Sequence, residues 1–304
     1  MSTTSVPTTT TPPVAPPVTA AAKAKKRLTS PAASITALII AILWTLPTFG
    51  LGITSIRPEA DIKSSGWWTF FTNPTISMKN YETVLAAQGQ SALGPYIINT
   101  FVIVIPSVII PLVLATLAAY IFAWVKFPGR DILFIAVFAL QIVPLQVTLL
   151  PLLKLYVDVG IAGKFAAVWL SHATFALPLA IFLLHNFMKE IPAGLLEAAR
   201  VDGAGHVSIF TRVLLPLLTP ALAAFGIFQF LWTWNDLLVA LTFAGGGPDT
   251  APITVALANL SGTRGNAWHL LSAGAFVSII VPVVVFLALQ RYFVRGLLAG
   301  GLKG

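Results

Sequence analysis

From residue 96 to residue 125 the chain contains no Asp, Glu, Lys or Arg, running through FVIVIPSVIIPLVLATLAAYIFAWV. A soluble helix buries one apolar stripe and solvates the rest, whereas this stretch is apolar on every face. About 20 such residues at helical rise cross the hydrocarbon core of a bilayer. Comparable runs lie near residues 34–54, 132–153, 165–188, 217–244 and 267–289, which predicts six spans. The whole chain agrees, with 57% hydrophobic residues, 9% charged and a mean hydropathy of +0.89. Soluble domains carry roughly 25% charged residues, so the expectation is an all-α integral membrane protein with one six-helix bundle.

Pro106, Pro111, Pro144, Pro178, Pro220 and Pro282 fall inside these runs. Membrane helices tolerate proline where neighbouring helices re-satisfy the freed backbone groups, so kinked and tightly packed spans are expected. Residues 1–33 are rich in Ser, Thr, Pro and Ala and cannot build a core, which reads as a disordered tail. Its basic cluster of Lys23, Lys25, Lys26 and Arg27 precedes the first apolar run. More spans follow without a convincing small-residue cleavage site, so a retained helix fits better than a signal peptide.

With both termini cytoplasmic, the 18 Lys and Arg divide twelve to six in favour of the inside. The positive-inside rule therefore supports that orientation. The net charge of +8 is then mostly a matter of topology, and nucleic acid is not an expected partner. The absence of cysteine excludes disulfides, zinc-thiolate sites and iron-sulfur clusters.

In this layout the longest inner loop, 189–216, holds EAARVDGAGHVSIFTRVLLP. Pro192 suits a first helical turn, and Leu195, Leu196 and Ala199 form one stripe with Glu197 and Arg200 toward the polar side. Gly203 and Gly205 provide backbone freedom for a turn. Phe210, Val213, Leu214 and Leu217 then form a second stripe leading into the fifth span. Helix, turn, helix is the expectation, and a hairpin resting on lipid headgroups would satisfy it.

The spacing is more specific than that. Glu197, Ala198 and Ala199, then Gly203 after three residues, then Val213, Leu215 and Pro216 after nine more, resemble the EAA loop of binding-protein-dependent ABC importer permeases, with valine in place of isoleucine. The resemblance implies a type I ABC importer permease fold in a bacterial plasma membrane. It also implies a short helix that docks in a groove of a separate ATPase dimer, where ATP and Mg are used. Small Ala198 and Ala199 would permit close approach, Glu197 would offer a carboxylate, and Asp202 would either cap the second helix or be solvated.

The C-terminal stretch 291–304 reads by composition as a frayed basic tail. Gly296, Leu297, Gly300, Lys303 and Gly304 resemble the ending of MalG-like sugar permeases. In that group the tail reaches into the ATPase dimer, which implies a second coupling contact. The string WTWNDLLVAL resembles the Trp-Asn-Asp element of sugar permeases. It places Asp236 inside the fifth run, where an ionisable group costs about 2.5–3.5 kcal/mol on insertion scales. Asn235 and Asp236 are expected either on the solute path or packed against a second, MalF-like permease. The aromatic loop SGWWTFFTNP reads as interfacial, and its GWW portion resembles the α-glucoside branch of the group. The glycine-rich loop between the last two spans corresponds to one that meets the extracellular solute-binding protein in relatives.

Catalytic constellations are missing: no phosphate-binding Gly-x-x-x-x-Gly-Lys-Ser/Thr occurs, and no cofactor is expected on this chain. His172, His185, His206 and His269 read as satisfied structural or surface residues rather than metal ligands. The competing class is a self-sufficient ion-coupled transporter. It calls for intramembrane ionisable groups and often two similar halves, whereas Asp236 is the one acid within the expected spans and no duplication is evident.

Overall fold

The structure is a computed structural model that describes residues 31–86, 92–261 and 267–301, the side chains of 261 and 291–301 excepted. Most of the tail expected over 1–33, with its basic cluster, lies outside the described residues. All regular elements among the described residues are helices. The chain divides at Leu51 and Gly52 into two units. The first unit contains α1 (Pro31–Ser55) up to Leu51, a helix with apolar side chains such as Ile35, Leu38, Ile42 and Trp44 around its circumference.

The second unit begins with the final turn of α1. It continues through α2 (Glu59–Ser64), a 3-10 turn at Trp67–Phe71, α3 (Lys79–Leu85) and the long α4 (Gly94–Trp124). Then come α5 (Arg130–Ala139, extended by a 3-10 turn to Ile142), α6 (Leu145–Asp158), α7 (Phe165–Glu190) and α8 (Ala193–Val201). It ends with α9 (His206–Trp234), α10 (Leu238–Phe243), α11 (Ile253–Ser261) and α12 (Trp268–Gly301). Among the described residues, five helices are long and apolar enough to cross a membrane, and six if the bent pair α5 and α6 counts as one span.

Helices α4 and α7 form the most extensive pair, and α9 packs against both. Buried alanines make this possible: Ala115, Ala119 and Ala123 on α4, and Ala176 and Ala180 on α7, belong to one cluster. In a bilayer no hydrophobic force drives helices together, so small residues that let backbones approach are the natural interface.

The third span departs from the single helix expected over 132–153, because α5 and α6 meet at 100°. Pro144 has no amide proton and pushes Val143 out of the helical region, to φ −69° and ψ 119°. Pro106, Pro111, Pro178, Pro220 and Pro282 all stay within helices. The bend frames a cavity of about 800 Å³ whose walls include Gln141, Pro144, Thr148, Phe175 and Trp232. The fifth span also shifts, to His206–Trp234 rather than 217–244. It starts earlier because the second helix of the hairpin is continuous with it through a π-helical segment, Ile209–Leu214. It stops earlier because the chain breaks at Asn235 and Asp236 and restarts as α10.

Candidate functional site

Helix α8 follows α7 after two residues, with Pro192 in the N-cap position. Its inward residue is Leu196, 1% exposed, which joins the cluster formed by Tyr120, Phe122 and Ala123 of α4, Leu184 and Met188 of α7, and Ile209 and Leu214 of α9. Ala199 packs against the same cluster. Leu195 does not follow them inward as the expected stripe had it. It sits 100° away from Leu196 around the helix and remains 48% exposed. Together with exposed Glu197, Ala198 and Arg200, and Val201 at 87%, it leaves a mixed apolar and charged outer face.

The helix ends in a Schellman motif. Ala204 N–H donates to the Ala199 carbonyl at 2.9 Å and Gly203 N–H to the Arg200 carbonyl at 3.0 Å. Closure requires a left-handed residue, supplied by Gly203 at φ +84°. Gly205 serves differently: it is extended, at φ −75° and ψ 171°, in the N-cap position of α9. Asp202 is exposed in the C-cap position of α8 and caps no second helix. Leu215 and Pro216 are exposed on α9 just beyond the π segment, and Val213 is partly buried.

At the other end of α9, Asp236 has become a helix cap. Its carboxylate accepts from Val239 N–H at 3.1 Å and Ala240 N–H at 2.8 Å, satisfying the first turn of α10. Its own carbonyl accepts from the Thr254 hydroxyl at 2.5 Å. Asn235 is exposed and bonds back to the Leu231 carbonyl at 2.8 Å. Asn99 and Thr100 of α4 hold the next segment, Asn99 donating to the carbonyls of Pro248 and Ala251 and Thr100 accepting from Ile253 N–H. Asp236→Ala should therefore lower stability by about 0.5–2 kcal/mol. Asp236→Asn, which keeps one acceptor, should lose less; thermal unfolding of the purified protein in detergent measures both.

Sequence reasoning missed what surrounds this cap. His172 on α7 is fully buried, its Nε2 lies 3.5 Å from the Asp236 carboxylate, and its ring stands edge-on to Trp232. Neither ring nitrogen has a hydrogen-bond partner among the described residues, so this histidine is not the satisfied one expected. Gln229 on α9, about two helical turns before Asp236, is also buried and donates to the Ser107 carbonyl of α4. The period-three-and-four spacing of Gln229, Thr233 and Asp236 was the available signal. Among the other histidines, His206 meets Tyr120, His185 meets Asn186 and His269 approaches Glu59 at 3.6 Å.

Gly300 lies within α12, which runs on to Gly301 where a tail was expected from residue 291. Lys303 and Gly304 lie outside the described residues.

Long apolar helices, the bent pair α5 and α6 and a hairpin rooted in the helix ends define a multi-pass membrane protein. The chain belongs to the family of binding-protein-dependent transport system inner membrane components, whose pattern matches residues 112–298. It is 52% identical over 273 residues to the osmoprotective compounds uptake permease protein GgtD of Synechocystis sp., covering 88% of this chain and 91% of that one. It is 38% identical to the alpha-glucoside transport system permease protein AglG of Rhizobium meliloti, covering 90% and 97%. The fold matches a chain in the crystal structure of a bacterial ABC transporter that imports alginate, with a TM-score of 0.73 over 92% of this chain and all of that one, at 21% identity. The fold is thus that of an ABC importer permease, and the protein is a multi-pass membrane protein.

Proposed function

We propose that the chain is one of two permease subunits of an ATP-driven importer for sugars or sugar-like osmolytes, with α-glucosides as the first class to test. Its bundle forms half of the translocation path beside a MalF-like partner. Residues 197–216 couple it to a separate ATPase dimer that binds ATP and Mg, and an extracellular solute-binding protein delivers the solute. The observation that carries the reading is α8 itself: one face is buried by Leu196 against α4, α7 and α9, while the opposite face exposes Leu195, Glu197, Ala198 and Val201. A hairpin lying on lipid has no need of the EAA spacing, and a self-sufficient transporter has no need of a docking helix. The twelve-to-six distribution of Lys and Arg supports a cytoplasmic α8 and cytoplasmic termini. The α-glucoside class is favoured by similarity to AglG, and the osmolyte class by similarity to GgtD.

The test is reconstitution of the chain with its companion permease, ATPase and binding protein in proteoliposomes. Glu197→Ala should reduce solute uptake by about tenfold or more, in the range of ordinary coupling energies, and weaken co-purification of the ATPase. Undiminished uptake and stimulated ATP hydrolysis would overturn the coupling role. Uptake by the chain alone under an ion gradient would overturn the ATP-driven reading.

A further inference from the structure

The covalent path from α8 into the fifth span is not one continuous α-helix. It passes through Gly203 and Gly205, around both of which a Cβ would meet nothing within 4 Å. It then crosses the π-helical segment Ile209–Leu214, whose hydrogen bonding breaks the α register between the first turn of α9 and the body of that helix. Motion of α8 therefore reaches the body of its own following helix only across a turn and a change of helical register. The side chains supply a second route. The Tyr120 hydroxyl, one turn from the end of α4, shares a hydrogen bond of 2.6 Å with Nδ1 of His206, the first residue of α9. The Tyr120 ring stands edge-on to Phe210 inside the π segment, with centroids 5.4 Å apart. Tyr120 and Leu196 belong to one buried cluster, so the anchor of α8 and this hydrogen bond end on the same part of α4.

Resting on the coupling role proposed above, we propose that Tyr120 and His206 are positioning residues: a latch that fastens the first turn of α9 to the end of α4, so that motion of α8 is delivered to α4 and α7. The π segment lets that first turn move with α4 while the body of α9 keeps its own packing. Neither residue needs to touch the ATPase or the solute.

The experiment uses the complete reconstituted importer and reads solute taken up per ATP hydrolysed, with ATPase co-purification as a separate measurement. Tyr120→Phe keeps the ring and removes the hydroxyl; it should lower the ratio about 3- to 10-fold, the value of one hydrogen bond, while the ATPase still co-purifies. His206→Leu should reproduce that loss. His206→Asn, whose amide occupies the place of Nδ1, should keep the ratio within about twofold of the parent. The double variant Tyr120→Phe with His206→Leu should be no worse than either single change, because both remove the same bond. An unchanged ratio in Tyr120→Phe, or losses that multiply in the double variant, overturns the latch. Release of the ATPase by Tyr120→Phe also overturns it, by placing the pair in the docking surface. The docking reading has its own readout, since Glu197→Ala is the change that releases the ATPase.

Discussion

Gly203→Val is expected to abolish most coupled uptake, whereas Gly205→Ala in the same turn is expected to change little. Both glycines have open space where a Cβ would go, so neither effect comes from a clash. The difference is in the backbone. Gly203 is held at φ +84° by the two Schellman hydrogen bonds, and an L-residue there costs about 1–2 kcal/mol, more when β-branched. The chain relieves that strain by opening the motif, which frees the Ala199 and Arg200 carbonyls and lets α8 swing from its seat. Gly205, at φ −75° and ψ 171°, lies in backbone space open to any residue, so alanine there brings no left-handed strain and costs at most about 0.5–1 kcal/mol through a poorer N-cap. Thermal unfolding in detergent and uptake in proteoliposomes should separate the two variants in the same direction. Equal tolerance of Gly203→Val and Gly205→Ala would show that the left-handed turn is dispensable.

Leu196→Ala is the second large effect. The side chain is 1% exposed and sits among residues of three spans, so its truncation should cost about 2–5 kcal/mol of local packing. Much of that loss will appear as opening of α8 rather than as global unfolding, because the helix is short and held by few other contacts. Proteolytic cleavage between residues 191 and 205 should accelerate accordingly. Leu195→Ala is the matched control: at 48% exposure it should leave stability within about 0.5 kcal/mol while weakening ATPase co-purification. If cleavage in Leu196→Ala is no faster than in Leu195→Ala, α8 is not anchored through Leu196.

The hairpin was legible because its signals are local. The two helices and their turn could be read from Pro192, the Leu196 and Ala199 spacing and the two glycines. What was not legible was which leucine faces inward and which glycine carries the left-handed turn. Both depend on where the ends of α4 and α7 stand. The same holds for proline. Eight prolines lie in the apolar runs, yet the helix breaks only at Pro144, the other seven staying inside helices as the packed environment of a membrane bundle allows. Asp236 shows the limit most clearly. An acid in an apolar run is visible as an anomaly, but its role as a cap appears only once α10 restarts beside it. The buried His172 facing it comes from a helix far away in sequence.

By itself, then, the sequence determined the solvent of this protein, the number of its apolar segments and the position of the helical hairpin after α7, since hydropathy, glycine and proline act within a few residues. Only the tertiary structure decided the broken third span, the capped break after Trp234 and the joining of Tyr120 to His206. The groups that make the first two are neighbours in sequence, but the same residue types elsewhere leave a helix intact, and the third joins helices far apart in the chain; in a bilayer such outcomes are set by packing and hydrogen bonding between helices rather than by a pattern along one of them.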